Sequence, residues 1–233
     1  MEIKVLASGS SGNAYRISDG TTSLLLDAGI PLKAIQVGCG FKVSQIKGCF
    51  VTHNHQDHSK AAKGLMKLGV DIYTSKGTID ACGLIGHRAH PLKELQEITV
   101  GTFKVLPFDV QHDAPEPLGF LFTSEETKEK LLYFTDTYYL KYKFNGLTHI
   151  MGEANYSKIV LEKNIRNGSL PVELAKRLYK SHMSIESFLE VLKANDLSKV
   201  RQIYLMHLSD GNSDAEDFKR QVRELTGAEV YVC

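Results

Sequence analysis

The chain has almost no net charge, with 28 lysines and arginines against 27 aspartates and glutamates in 233 residues. That excludes the global basic field on which much nucleic-acid affinity rests, so any polyanion must be held by a local patch, by metal, or transiently. No apolar run approaches the ~18 residues that suggest a membrane span. The opening MEIKVLASGSSGN lacks the basic segment, long apolar region and cleavage site of a secretory signal. Cysteines are few, at positions 39, 49, 82 and 233, and form no CxxC pair. Free thiols in a reducing, cytoplasmic compartment are expected, and Cys39 has no second cysteine nearby to help it ligate a soft metal. Repeats, low-complexity tracts and Pro/Gly linkers are absent too, which predicts one domain over residues 1–233.

What is present reads as mixed α and β. Strand-like runs cover residues 3–7, 23–27, 49–52, 70–74, 100–110, 119–123 and 131–135. Helical spacing appears over 59–68, with Ser59 as N-cap, and over 170–179, 184–194 and 215–226, with a strand at 203–206 between the last two.

The most informative stretch is Thr52-His53-Asn54-His55-Gln56-Asp57-His58, with three imidazoles and a carboxylate in six positions after an apolar run. Such donors suit zinc, manganese or iron, and no thiolate competes. Alternation in an extended loop would let His53 and His55 face one point while Asp57 and His58 face another. His112 after FDVQ, Asp136 after LLYFT and His207 after IYLM each stand where a strand end would present a ligand. Two divalent ions ~3.5–4 Å apart need a bridging carboxylate, and Asp136 is the candidate.

Asp27 in LLLDAG, HNHQDH at 53–58, His112, Asp136 in TDT and His207 together resemble the five motifs of the metallo-β-lactamase superfamily. SGSSGN at 8–13, HDAPEPLGF at 112–120 and HLSDGNS at 207–213 resemble its YycJ/WalJ branch, which is linked to DNA exonuclease activity. The resemblance implies a four-layer αββα sandwich with the site at one edge of two sheets. It implies one metal, Zn2+ or Mn2+, on His53, His55, His112 and Asp136, and a second on Asp57, His58, Asp136 and His207. Asp27 would support the ligands from behind. Homodimers are common in the superfamily, and this chain is compatible with one.

Metal ligands alone do not choose a substrate. Glu153 in GEANYS and His182 in SHMS are similar in context to the glutamate and histidine that assist proton transfer in tRNA 3′-processing nucleases. His182 would then be general acid and Glu153 its orienting partner, and with Asp57 they make the expected catalytic set. A cap at the helix start and an exposed carboxylate are the plainer readings of His182 with Ser184 and of Glu153. His149 reads as a packed histidine, and His87 and His90 as polar-loop residues. The 8–12 loop with Asn13 is a phosphate nest or a tight turn. Asn212 and Ser213 face substrate or serve a turn. Lys158, Lys163, Arg166, Lys176, Arg177 and Lys180 form a basic rim or a solvated helix face.

The expected function is therefore a dinuclear phosphodiesterase or nuclease acting on DNA, RNA or nucleotides through a metal-bridging hydroxide. Only 23 residues separate His112 from Asp136, which leaves no space for the long arm of tRNA 3′-processing nucleases. A cyclic-nucleotide phosphodiesterase needs less basic surface and is an alternative. A thioester or lactone hydrolase of the same superfamily is another, and a non-catalytic scaffold is disfavoured because no ligand is missing.

Overall fold

Thirteen strands and eight helices pair into two sheets with helices between the strands. The computed structural model describes residues 1–233. Two compact units are distinguishable, one of Met1–Asp109 with Ala114–Glu129 and one of Val110–Asp113 with Lys130–Cys233. No helix is long and apolar enough to cross a membrane.

In the first unit, β1 (Glu2–Ala7), β2 (Ala14–Ser18), β3 (Ser23–Leu26), β4 (Ile46–Phe50), β5 (Ile72–Ser75) and β6 (Ala89–Leu92) lie side by side in chain order. β1 to β3 are antiparallel, and β3 to β6 are parallel. Parallel neighbours need crossovers, supplied by α1 (Leu32–Gly38), by α2 (Gln56–Ser59) with α3 (Ala62–Lys67), and by α4 (Lys76–Cys82). Strand alternation divides the side chains between two faces. Leu25, Cys49 and Val51 pack with Ile35, Leu65 and Ile79 of the helices. On the opposite face Phe50 stacks on Tyr73 at 5.0 Å and meets Phe120 and Phe122 edge-on at 5.4 and 5.1 Å. Those two rings belong to an antiparallel meander of β7 (Ile98–Val100), β8 (Phe103–Asp109) and β9 (Leu118–Ser124).

The second unit carries four parallel strands in the order β10 (Lys130–Phe134), β11 (His149–Glu153), β12 (Gln202–Met206) and β13 (Glu229–Val232). The first three are nearly all buried, as parallel strands covered on both faces are. Between β11 and β12 come α5 (Lys158–Arg166), α6 (Val172–Ser181) and α7 (Ile185–Ala194). α8 (Ala215–Thr226) precedes β13, capped by the Asp214 side chain at one end and by left-handed Gly227 at the other. Phe188 of α7 lies 6.0 Å from Phe134, so close over β11 that a Cβ at Gly152 would stand 2.4 Å from the Phe188 ring. α5 and α6 share a small core of their own around Tyr156, Leu161 and Ala175.

Several expected boundaries move. Ser59 is no N-cap: it ends α2, and its hydroxyl donates to the carbonyls of Asn54 and His55, while α3 begins at Ala62. The run expected as one strand over 100–110 folds back at left-handed Gly101, which pairs Val100 with Phe103 across a hairpin. Ser184 does cap α7, accepting from the Ser187 N–H. β2, β11, α1, α4 and α5 were not expected, because each is short or carries polar residues that blur its period.

Candidate metal centre

β4 ends at Phe50, and the chain runs out through Val51 and Thr52 into the histidine-rich loop. The loop is extended only to His55, after which Asp57 and His58 stand on α2, so the expected alternation through 58 is interrupted by a helical turn. The rings of His53 and His55 are 4.7 Å apart, and those of His53 and His58 are 4.3 Å apart. His58 Nε2 lies 3.4 Å from Asp57 Oδ2.

Asp27, fully buried at the end of β3, holds this group from behind. Its Oδ1 accepts from the Thr52 N–H at 2.8 Å and the Thr52 hydroxyl at 3.0 Å, and its Oδ2 lies 2.7 Å from His58 Nδ1. A carboxylate on Nδ1 favours the tautomer with the proton there and leaves Nε2 as the nitrogen able to ligate a metal. Asp27→Asn keeps a residue that tolerates the left-handed backbone at φ 55°. We expect it to weaken metal binding ~10–100-fold, read by competition with a chelator; an unchanged affinity would remove Asp27 from this role.

Backbone contacts clamp the loop. The Asn13 N–H donates to the Asp57 carbonyl at 2.7 Å, and the Ala28 N–H to the His58 carbonyl at 2.7 Å. Asn13 spends its side chain within the first unit, its amide donating to the Gly9 and Asp57 carbonyls at 3.0 and 3.3 Å and lying 3.2 Å from His58 Nε2. The 8–13 loop is thus a tight turn that braces the histidine loop.

In the second unit, parallel register decides what meets. Gly152 pairs with Phe134 and Leu205, and Glu153 pairs with Met206. Asp136, Glu153 and His207 therefore leave one edge of the sheet together, at the carboxyl ends of the strands, where ligands of open parallel sheets bind. Asp136 Oδ1 lies 3.0 Å from His207 Nδ1, and its Oδ2 lies 3.6 Å from His112 Nε2. Glu153 Oε1 lies 2.6 Å from His182 Nδ1 and 3.1 Å from His207 Nδ1. Its Oε2 accepts from the N–H groups of Thr137 and Met183, both at 3.1 Å. Asp136, Glu153, His182 and His207 each bring one donor atom within 4.8 Å of the others.

Burial resists charge here, but the pairing overrides it at most groups. Burial would raise the Glu153 carboxyl, yet the charge and hydrogen bond of His182 and the hydrogen bond of His207 hold it below its usual range. His182 is raised in return: its burial is outweighed by Glu153. Against the same burial, Asp136 and Glu153 lift His207 to about 10. His112 goes the other way, lowered by burial.

Asp27, Asp136 and His207 share a backbone feature, with φ of 55°, 47° and 55°. Non-glycine residues rarely adopt this left-handed region and pay for it in strain, which concentrates at functional sites. Each stands just past a strand, so the turn swings its side chain across the strand end. Asn155 secures the turn at His207, donating to its carbonyl at 2.7 Å and accepting from the Ser209 N–H at 2.8 Å through its own carbonyl.

Other candidates divide. His149 is buried with Nδ1 2.8 Å from the Thr148 hydroxyl, a packed residue. Asn212 and Ser213 bond to Ser209 within their own loop, which is turn chemistry. The six lysines and arginines of α5 and α6 are all exposed. Thr52, Thr137 and Asn155 also belong to the site, and the only sequence signal for them is that each sits within three residues of a candidate ligand or catalytic carboxylate, a position that often braces one.

The donors fit divalent metal. They are imidazoles and carboxylates, buried or half-buried, and no cysteine stands among them, which suits borderline-hard ions better than soft ones.

Residues 23–208 match the family model described as "Beta-lactamase superfamily domain". The chain belongs to the beta-lactamase superfamily. Within that superfamily it is similar to exodeoxyribonuclease YycJ of Bacillus anthracis, at 29% identity with 97% of this chain and 89% of the relative covered. It is also similar to exodeoxyribonuclease WalJ of Streptococcus pneumoniae, at 30% identity with 91% and 83% covered. Among solved structures, the metallo-β-lactamase fold protein YhfI from Bacillus subtilis aligns with a TM-score of 0.74, at 15% identity over 99% of this chain and 95% of that one. The short form of human tRNase Z aligns with a TM-score of 0.66, at 16% identity over 100% and 96%. The fold is that of the metallo-β-lactamases, and the chain is a metal-dependent hydrolase of the superfamily.

Proposed function

We propose that the chain is a dinuclear metal-dependent phosphodiesterase that cleaves DNA, with residues 1–233 acting as one catalytic domain. In this reading His53, His55, His112 and Asp136 hold one ion, Zn2+ or Mn2+, and Asp57, His58, Asp136 and His207 hold the other. The chemistry such a pair would supply when bound is Lewis-acid polarisation of a phosphoryl oxygen and a water acidic enough to act as nucleophile at neutral pH. Asp57 would be a ligand of the second ion and a member of the catalytic set with Glu153 and His182.

The observation that carries the reading is the His182–Glu153 pair, 2.6 Å from Nδ1 to Oε1. A fully buried carboxylate fixed by two backbone N–H groups orients the imidazole and favours its cation. The ring keeps its second nitrogen for donation, and its side chain retains 17% of its surface. A positioned imidazolium suits a reaction whose leaving group departs as a poor alkoxide, as the sugar oxygen of a phosphodiester does. A thiolate expelled from a thioester has no such need. The exodeoxyribonuclease names of relatives at 29% and 30% identity support DNA as the polymer.

Leaving-group dependence tests this. His182→Ala should slow cleavage of an oligodeoxynucleotide by ~10²–10⁴-fold. Bis(p-nitrophenyl) phosphate, whose nitrophenolate departs unprotonated, should lose far less. Equal losses on both substrates would refute the general-acid role.

A further inference from the structure

Two cavities of the second unit share one wall residue, Tyr138. The first, of about 480 Å³, is lined by Gln111, His112, Asp113, Tyr138, Tyr179 and Lys180. The second, of about 380 Å³, runs along residues 138–143 against α7. Both volumes suit a small organic group, and His112 places the first cavity beside the ligand cluster of this unit.

Single exposed tyrosines need no explanation, but these two are seated. Tyr138, 44% exposed, donates its N–H to the Gln111 carbonyl at 3.3 Å. Its neighbour Thr137 accepts from the Gln111 N–H at 2.9 Å and donates to Glu153 Oε2. Tyr138 is thereby indexed to His112 on one side and to the Glu153–His182 pair on the other. Tyr179, 37% exposed, lies edge-on to buried Tyr156 with centroids 5.7 Å apart.

Cations accompany the rings. Lys180 is exposed on the rim of the first cavity. Arg177 approaches Asp113 to 3.9 Å and offsets the one carboxylate there. Along the second cavity Tyr138-Tyr139-Leu140-Lys141-Tyr142-Lys143 sets aromatics beside lysines, Lys141 Nζ lies 5.0 Å from the Tyr142 ring centre, and the Glu190 carboxylate on that wall is paired with Lys193 at 2.8 Å. Interleaved rings and cations are the composition of grooves that bind single strands, where bases stack and the backbone is held by charge.

The geometry points to a single-strand track in which the base next to the scissile phosphate stacks between Tyr138 and Tyr179, Lys180 holds its phosphate, and the strand continues past Tyr138 along Lys141 and Lys143. This rests on the phosphodiesterase reading. It supplies the local patch that a chain of net charge +1 needs to hold a polyanion. It also requires that the bases entering the track be unstacked, which a free strand or a frayed duplex end supplies.

The test uses the full-length, metal-reconstituted protein and an oligodeoxynucleotide carrying 2-aminopurine at one end or the other. Stacking should quench the probe at one end in the wild type and in Tyr138→Phe, but not in Tyr138→Ala. Tyr138→Ala and Tyr179→Ala should each lower kcat/KM on the oligonucleotide, relative to bis(p-nitrophenyl) phosphate, by about 5- to 150-fold, mostly through KM. Phenylalanine at either position should restore it, and melting curves should confirm that each variant is folded. Quenching without cleavage by the wild type would overturn the phosphodiesterase reading and leave the stacking site standing. Cleavage with no quenching at either end, or alanine variants that behave as wild type on both substrates, would overturn the track and leave the phosphodiesterase reading intact.

Discussion

Asp136→Asn should lower hydrolysis of bis(p-nitrophenyl) phosphate by at least the ~10²–10³-fold that one electrostatic group is worth, with metal content falling below two ions per chain. In the proposed centre Asp136 is the one ligand common to both ions, so its charge screens their repulsion and its loss weakens both sites. The structure gives the carboxylate work on both oxygens. Oδ1 accepts from the Thr135 hydroxyl at 2.8 Å and faces His207, and Oδ2 faces His112. Asparagine is the informative replacement because it keeps the volume and tolerates the left-handed backbone, so charge is removed without added strain. Metal analysis of the purified variant beside its turnover decides the matter. Two ions per chain with full activity would eliminate the bridging role.

Gly29→Ala should be the most damaging single methyl in the first unit. A Cβ there would stand 1.6 Å from the Asp57 carbonyl oxygen, 2.1 Å from its carbon and 2.8 Å from the Asn13 nitrogen. All three atoms are backbone, and they belong to the strut that braces the histidine loop, so no rotamer change relieves the clash. Either the Asn13–Asp57 hydrogen bond opens and Asp57 and His58 move, or the unit unfolds. The cost should lie at or above the upper end of the ~1–3 kcal/mol of ordinary overpacking, measured by urea unfolding, with metal affinity lost in parallel. Gly211→Ala is the control: nothing lies within 4 Å of a Cβ there, and the change should stay within about 0.5 kcal/mol. If the two variants melt alike, the close approach at Gly29 is not a constraint.

Legibility followed the distance between partners along the chain. HNHQDH at 53–58 could be read directly because its donors are consecutive and their chemistry is intrinsic to the side chains. The strands ending before Asp27, Asp136 and His207 could be read because buried parallel strands are continuous apolar runs. Short polar-flanked elements such as β11 were lost, since HIMGE looks neither alternating nor wholly apolar. Its burial comes from neighbours 15 or more residues away. Ser59 misled for a related reason: a serine before an apolar period looks like a cap, yet its hydroxyl was already committed to the carbonyls of Asn54 and His55.

By itself, then, the amino-acid sequence determined the kind of donor, the superfamily pattern that carries it and the mixed α/β class, because these depend on residue identity and short-range period. Only the tertiary structure decided that Glu153 is fully buried and bonded to His182, that Asp27 reaches across to His58, that Gly29 has no room for a methyl, and that Tyr138 and Tyr179 wall one cleft. Each of these is a meeting of segments 28 or more residues apart. Such meetings are set by sheet register and by left-handed turns at strand ends, which no local pattern of side chains encodes.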